Sequence, residues 1–292
     1  LRLNVAAHDR AYHGTVVQKS ERLRAPARAA GRTGRPLGNV TRGTTNPNRM
    51  RRVDRWITGT QAWRFRDAER PLAVDLGYGA SPRTAIELFE RLRTVDPGFR
   101  LTGVEIEPGR VAKALEEARP GLDFRLGGFE LPVEERPVLV RAFNVLRQYD
   151  EGDVAAIWDT LRSRLAPGGL VVEGTCDELG RTACWVALDG GGPLSLHLSL
   201  HFGSLELPSQ TAERLPKALI HRNVPGERIH AFLHAADQAW LAAAPLASFG
   251  KRQRWRRMCE VLRDTGWPVL DGPHRFRLGE LSVAWEAVAP GA

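Results

Sequence analysis

The stretch Leu72–Leu88, LAVDLGYGASPRTAIEL, constrains this chain more than any other: an apolar run short enough for a buried strand ends on two glycines and passes directly into an amphipathic helix. Ala73, Val74 and Leu76 form the strand. Gly77 and Gly79 make the turn, and Ser81 with Pro82 opens a helix carrying Ala85, Leu88, Phe89 and Leu92 on one face. Glycines there let a ligand approach the backbone closely, as at the nucleotide sites of α/β folds. A dinucleotide fingerprint needs a third glycine at position 82, and Pro82 stands there, which disfavours NAD.

Three further strand ends repeat the pattern. Leu101–Val111, LTGVEIEPGRV, is a short apolar strand that ends at Glu105, 28 residues after Gly77, before a helix opened by Pro108. A carboxylate in that place can hold two ribose hydroxyls. Leu122–Pro132, LDFRLGGFELP, is a third strand and its loop. Pro137–Tyr149, PVLVRAFNVLRQY, is a fourth, ending near Asn144. Val154, Ile157, Leu161 and Leu165 then mark a helical face, Pro167–Gly169 stop that helix, and Leu170–Glu173 form a fifth strand.

In order and spacing these segments resemble the motifs of the class I S-adenosylmethionine-dependent methyltransferases. Asp75, Leu76, Gly77 and Gly79 match the first motif, an acidic residue, an apolar one and Gly-x-Gly. The resemblance implies a doubly wound, Rossmann-like α/β fold: a seven-stranded, mostly parallel sheet with an antiparallel edge strand. It implies S-adenosyl-L-methionine bound through Asp75, Gly77, Gly79 and Glu105, the loops at Gly128, Phe129 and Asn144 completing the pocket. Many members carry an acidic residue where Gly128 stands, so here adenine would fall to backbone groups and to the face of Phe129. A core phenylalanine accounts for Phe129 equally well.

The resemblance runs from Leu72 to Thr175 and resumes near the end, where Arg252–Gly266 looks like the last crossover helix and Phe276–Val288 supplies antiparallel edge strands. Between them, residues 181–249 read as a cap insertion over the active site: strands Arg181–Leu188 and Leu194–Phe202 joined across Asp189–Pro193, then a helix over Glu227–Leu241. Its charges balance, which favours a small-molecule acceptor over a phosphate backbone. The cluster Lys251, Arg252, Arg254, Arg256 and Arg257 keeps RNA open as a substrate, against the commoner solvated helix face.

The chain of 292 residues suits one catalytic domain with an appended arm. Residues 1–56 hold thirteen arginines and lysines against Asp9, Glu21 and Asp54, which accounts for the formal charge of +8. Residues 1–38 show no sustained period and are expected to form a disordered basic arm, with the methyltransferase domain over 39–292. Asn46–Trp56 reads instead as a helix with Asn46 as cap, burying Met50, Val53, Trp56 and Ile57; its Arg49, Arg52 and Arg55 are candidate anion contacts or a solvated face. No run reaches the roughly 18 apolar residues of a membrane span. Cys176, Cys184 and Cys259 form no C-x-x-C pair, so neither a zinc cluster nor a disulfide framework is indicated, and a cytoplasmic setting is expected.

Methyl transfer is a direct displacement, so alignment can supply most of the catalysis, and a base is needed only if the acceptor carries a proton. The candidates for catalytic roles are Tyr149, Asp177 and Glu178, near the ends of strands four and five, and His221 from the cap; loop packing, helix or turn caps for the acids and a surface histidine are their plain alternatives. Thr175-Cys176 resembles half of the RNA 5-methylcytosine signature, but the Pro-Cys expected after strand four is replaced by Phe143-Asn144-Val145-Leu146. His230 and His234, and His197 and His201, are spaced four apart without a completing carboxylate, so no metal is expected. A non-catalytic binding module that keeps the fold and works through its basic arm is the alternative of a different class.

Overall fold

The computed structural model describes residues 36–40 and 45–291. Most of the expected basic arm therefore lies outside the described residues, and Pro36, Leu37 and Gly38 inside them. The core is one eight-stranded sheet in the order β3-β2-β1-β4-β5-β6-β7-β8. Its first five strands, β1 (Leu72–Leu76), β2 (Arg100–Glu105), β3 (Leu122–Leu126), β4 (Leu139–Phe143) and β5 (Leu170–Cys176), are parallel throughout. The order reverses between β1 and β4, the kind of switch point where α/β sheets open a crevice at the strands' carboxyl ends.

Parallel strands covered on both faces must be apolar on both, and β1 and β4 are buried along their whole length. Helices α1 (Arg51–Thr60), α2 (Arg83–Arg93) and α3 (Pro108–Leu115) cover one face, and α4 (Val154–Ser163), the short α5 (Lys217–Ile220), α6 (Arg228–Ala242) and α7 (Lys251–Asp264) the other. The α2 stripe of Ala85, Leu88, Phe89 and Leu92 is buried as its spacing predicts, each large side chain contributing about 1.5–3 kcal/mol by leaving water. Met50, Val53, Trp56 and Ile57 are buried too, but α1 begins at Arg51 because Asn46–Met50 form turns.

Two expectations are corrected. The sheet has eight strands instead of seven, and the hairpin assigned to a cap belongs to it. β6 (Thr182–Asp189) pairs antiparallel with β5, β7 (Gly192–Leu200) with β6, and β8 (Glu280–Ala284) with β7. Gly190 and Gly191 form a two-residue turn, which joins only antiparallel neighbours. β6 buries Cys184, Val186 and Leu188 on one face and Ala183, Trp185 and Ala187 on the other, so both sides need cover and a cap would leave one in water. The expected edge strands at the end reduce to β8, preceded by the four-residue α8 (Pro273–Phe276). Among the described residues no helix is long and apolar enough to cross a membrane.

Candidate functional site

β1 ends at Leu76, and the chain turns on Gly77 and Gly79, whose φ angles of 70° and 85° lie in the left-handed region that side chains avoid. The Gly77 N–H donates to the Val104 carbonyl at 2.7 Å, tying the turn to the next strand. β2 runs one residue further and places Glu105 beyond the end of β1. Its carboxylate is 1 % exposed, which demands partners. Oε2 accepts the Gly79 N–H at 2.9 Å, Oε1 accepts the Ile106 N–H at 2.9 Å and, at 3.3 Å, that of Glu107, and Arg110 stands 3.6 Å away. Glu107 instead caps α3 through the N–H groups of Gly109 and Arg110.

Glu105, Gly77, Leu76 and Ile106 form one side of a cleft of about 260 Å³. The loop after β3 forms the other with Gly128 and Phe129, and Val145 and Tyr149 close it from the loop after β4. The Tyr149 and Phe129 rings meet edge-on, centroids 5.2 Å apart. Residues 37–39 lie across the opening: the Leu37 carbonyl accepts the Phe129 N–H at 3.0 Å, and the Asn39 N–H donates to the Tyr149 hydroxyl. Burial pushes the Tyr149 phenol above its ordinary value, against the pull of the Asn39 N–H. Of the residues singled out from sequence, Gly77, Glu105, Gly128, Phe129 and Tyr149 thus meet around one cleft, with Gly79 bonded to Glu105 behind it.

The others lie elsewhere. Asp75 is buried under α1, where Arg141 binds it through two hydrogen bonds at 2.8 and 2.7 Å while also pairing with Asp54. Arg91 holds the second oxygen of Asp54 at 2.6 Å, so Asp75 belongs to a closed network that fastens α1 to the sheet. Asn144, in a left-handed conformation with φ 59°, stitches β4 to β5: its Oδ1 accepts the Cys176 N–H at 3.0 Å and its amide faces the Cys176 Sγ at 3.4 Å. Val145 lines the cleft in its stead. Asp177 ties the β5–β6 turn by accepting the N–H groups of Leu179, Arg181 and Thr182. His221 is exposed at the end of α5, 3.0 Å from the Lys217 ammonium. Arg49 donates to the Asp177 and Cys176 carbonyls, and Arg52 to Ser199 and the Leu278 carbonyl, so both lash α1 in place.

Sequence reasoning missed Ile106, Val145 and Glu130. The acid after Gly127-Gly128-Phe129 was the available signal for Glu130, whose Oε1 accepts the Gly128 N–H at 2.8 Å. Among the described residues no cluster of three or more His, Cys, Asp or Glu could hold a metal. His197 spends both ring nitrogens on Ser195 and Ser282, and burial pushes it down to about 3.

No family model matches this chain, and no curated protein does. Solved structures do match. Human N-acetylserotonin methyltransferase in complex with SAM is 22 % identical over 45 % of this chain and 39 % of its own, with a TM-score of 0.30. The plantazolicin methyltransferase BamL, solved with SAH, is 14 % identical over 44 % of this chain and 46 % of its own, TM-score 0.34. The [4+2]-cyclase SpnF is 20 % identical over 47 % and 52 %, TM-score 0.33. The chain thus spans about half the length of these proteins or less, and likeness of this degree assigns neither ligand nor activity.

Proposed function

We propose that this chain is a methyltransferase that takes its methyl group from S-adenosylmethionine and passes it to a small-molecule acceptor. The observation that carries this reading is the Glu105 carboxylate, buried in the cleft wall and aimed by backbone N–H groups beside a left-handed glycine turn. Three backbone N–H groups use about three of a carboxylate's roughly four acceptor positions, so a ribose hydroxyl would take the remaining one or replace the long Glu107 bond. Gly77 exposes backbone to the donor's amino-acid end, and Ile106 and Phe129 offer apolar faces to its base.

The donor, when bound, supplies a methyl group activated by a sulfonium. What the chain has to do is hold the two reactants in line and keep water away, and no side chain need take a proton unless the acceptor carries one. Tyr149 is the one catalytic candidate at the cleft, and a phenol held above its ordinary pKa by burial suits hydrogen bonding to an acceptor better than proton removal. Asp177 and His221 have no part in this reading.

Calorimetry with S-adenosylmethionine and S-adenosylhomocysteine tests it, on the parent and on Glu105→Ala and Gly77→Arg. Micromolar binding of the parent that Gly77→Arg loses and Glu105→Ala weakens is the expected result, and no binding of the parent at millimolar ligand would sink the proposal. Labelled-methyl transfer to fractionated small molecules and to RNA then identifies the acceptor. Donor binding without turnover on either fraction would favour the non-catalytic module.

A further inference from the structure

Glu130 and Leu37 make a two-point contact at the cleft. The second carboxylate oxygen of Glu130 accepts the Leu37 N–H at 2.9 Å, and the carbonyl of the same Leu37 accepts the Phe129 N–H at 3.0 Å. One residue of the crossing segment therefore presents a donor and an acceptor, side by side, to an acceptor and a donor on the loop after β3. Gly128 makes the approach feasible, since a Cβ there would lie 1.8 Å from the Leu37 oxygen. Gly38 continues it with a φ of 144°, and a Cβ on it would lie 2.9 Å from the Tyr149 hydroxyl.

Adenine carries the same pair of groups on its Watson–Crick edge, where the 6-amino group donates and N1 accepts. The Leu37 N–H and carbonyl, from two successive peptide units, and the edge of a base can thus each satisfy the same two groups, but not both at once. We propose that Leu37–Asn39 is an internal stand-in for the donor's adenine, a strap that occupies the Phe129 N–H and the Glu130 carboxylate in the free chain and yields both to the base. The inference rests on the reading of the cleft as an adenosine-donor site. It accounts for Leu37, Gly38 and Asn39 standing among the residues that line the cleft, which strap release would enlarge. It also makes Glu130 the residue that selects a 6-amino over a 6-oxo purine, doing from two positions further on what an acid at position 128 would do.

A closed strap lowers apparent affinity by the fraction of time the site stands open. Gly38→Val pushes the strap off Tyr149, and Leu37→Pro deletes the donated N–H without adding bulk at the cleft. Without ligand, amide exchange in the segment 127–131 should quicken in both variants relative to the parent. Calorimetry should show S-adenosylhomocysteine binding tightened by about tenfold in Gly38→Val and by a smaller factor in Leu37→Pro. S-inosylhomocysteine should bind the parent at least about 100-fold more weakly than S-adenosylhomocysteine, with the gap narrowed in Glu130→Gln. Equal or weaker S-adenosylhomocysteine binding in the strap variants, with the parent binding, overturns the strap. Absence of binding in parent and variants alike overturns the donor site instead.

Discussion

Asp75 and Glu105 are two buried carboxylates on adjacent strands, and their surroundings share almost nothing. Asp75 stands in register with Gly103, one pleat repeat short of Glu105, a step of roughly 6.6 Å along the strand. At Asp75 both neighbouring strands continue and α1 lies overhead, so no water or ligand reaches the charge, and Arg141, its register partner on β4, must neutralise it. At Glu105 the neighbour β1 has already turned away, and the Gly79 N–H from that turn, together with the Ile106 N–H just past the end of β2, holds the carboxylate at the rim of a cleft. Charge alone does not mark a ligand residue; its depth relative to the end of the neighbouring strand decides.

The largest expected effect that would break this contrast is on stability. Arg141→Ala leaves Asp75 and Asp54 buried without their shared cation and should cost about 3–5 kcal/mol in denaturant unfolding, with S-adenosylhomocysteine affinity unchanged under conditions where the variant stays folded. A loss below about 1 kcal/mol would mean the network is not what holds α1. Glu105→Ala should show the reverse balance. Its ligand affinity should fall about 10- to 100-fold, with a smaller stability loss than Arg141→Ala, and retained affinity would remove the basis for separating the two carboxylates.

A third buried acid sharpens the contrast because it has neither solution. Glu173 on β5 is fully buried, neither oxygen has a hydrogen-bond partner among the described residues, and burial pushes it up to about 8 against the pull of the Trp158 indole. Between the ordinary glutamate value and about 8 the native state keeps its proton while the unfolded chain releases it. Its stabilising contribution is therefore full at acid pH and declines by about 1.4 kcal/mol per pH unit until the native carboxyl itself ionises. Urea unfolding of the parent and Glu173→Gln should differ by that slope from pH 5 to about 8 and run parallel above it, and curves parallel throughout would show that Glu173 is ionised in the fold. The smallest effect belongs to Asp177→Ala. Loosening a surface turn should cost about 1 kcal/mol and leave S-adenosylhomocysteine affinity as it was, whereas a marked loss of affinity would return Asp177 to the site.

Much of the first five strands was legible, because strand–turn–helix units announce themselves locally: an apolar run, glycines, then helical spacing, as at Leu72–Leu88. The hairpin was misplaced although Thr182–Leu188 is apolar on both strand faces, a sign of a central strand that the expectation of a cap overrode. In the site, Gly77, Glu105, Gly128 and Phe129 were legible because each follows a strand end directly. Leu37 and Glu130 were not, since their contact spans 93 residues and is made on one side by backbone atoms that no side chain advertises.

By itself, then, the sequence determined the order of the parallel units, the left-handed glycine turn after β1 and the acid after β2, because turn chemistry and periodicity act over a few residues. Only the tertiary structure decided which polar groups reach the cleft. Asp75 and Asn144 were drawn off by partners 66 and 32 residues away, and β6 was drawn into the sheet by cover on both faces. The physical reason is the same each time: a buried polar or backbone group must find a partner, and where that partner stands is settled by packing across the fold.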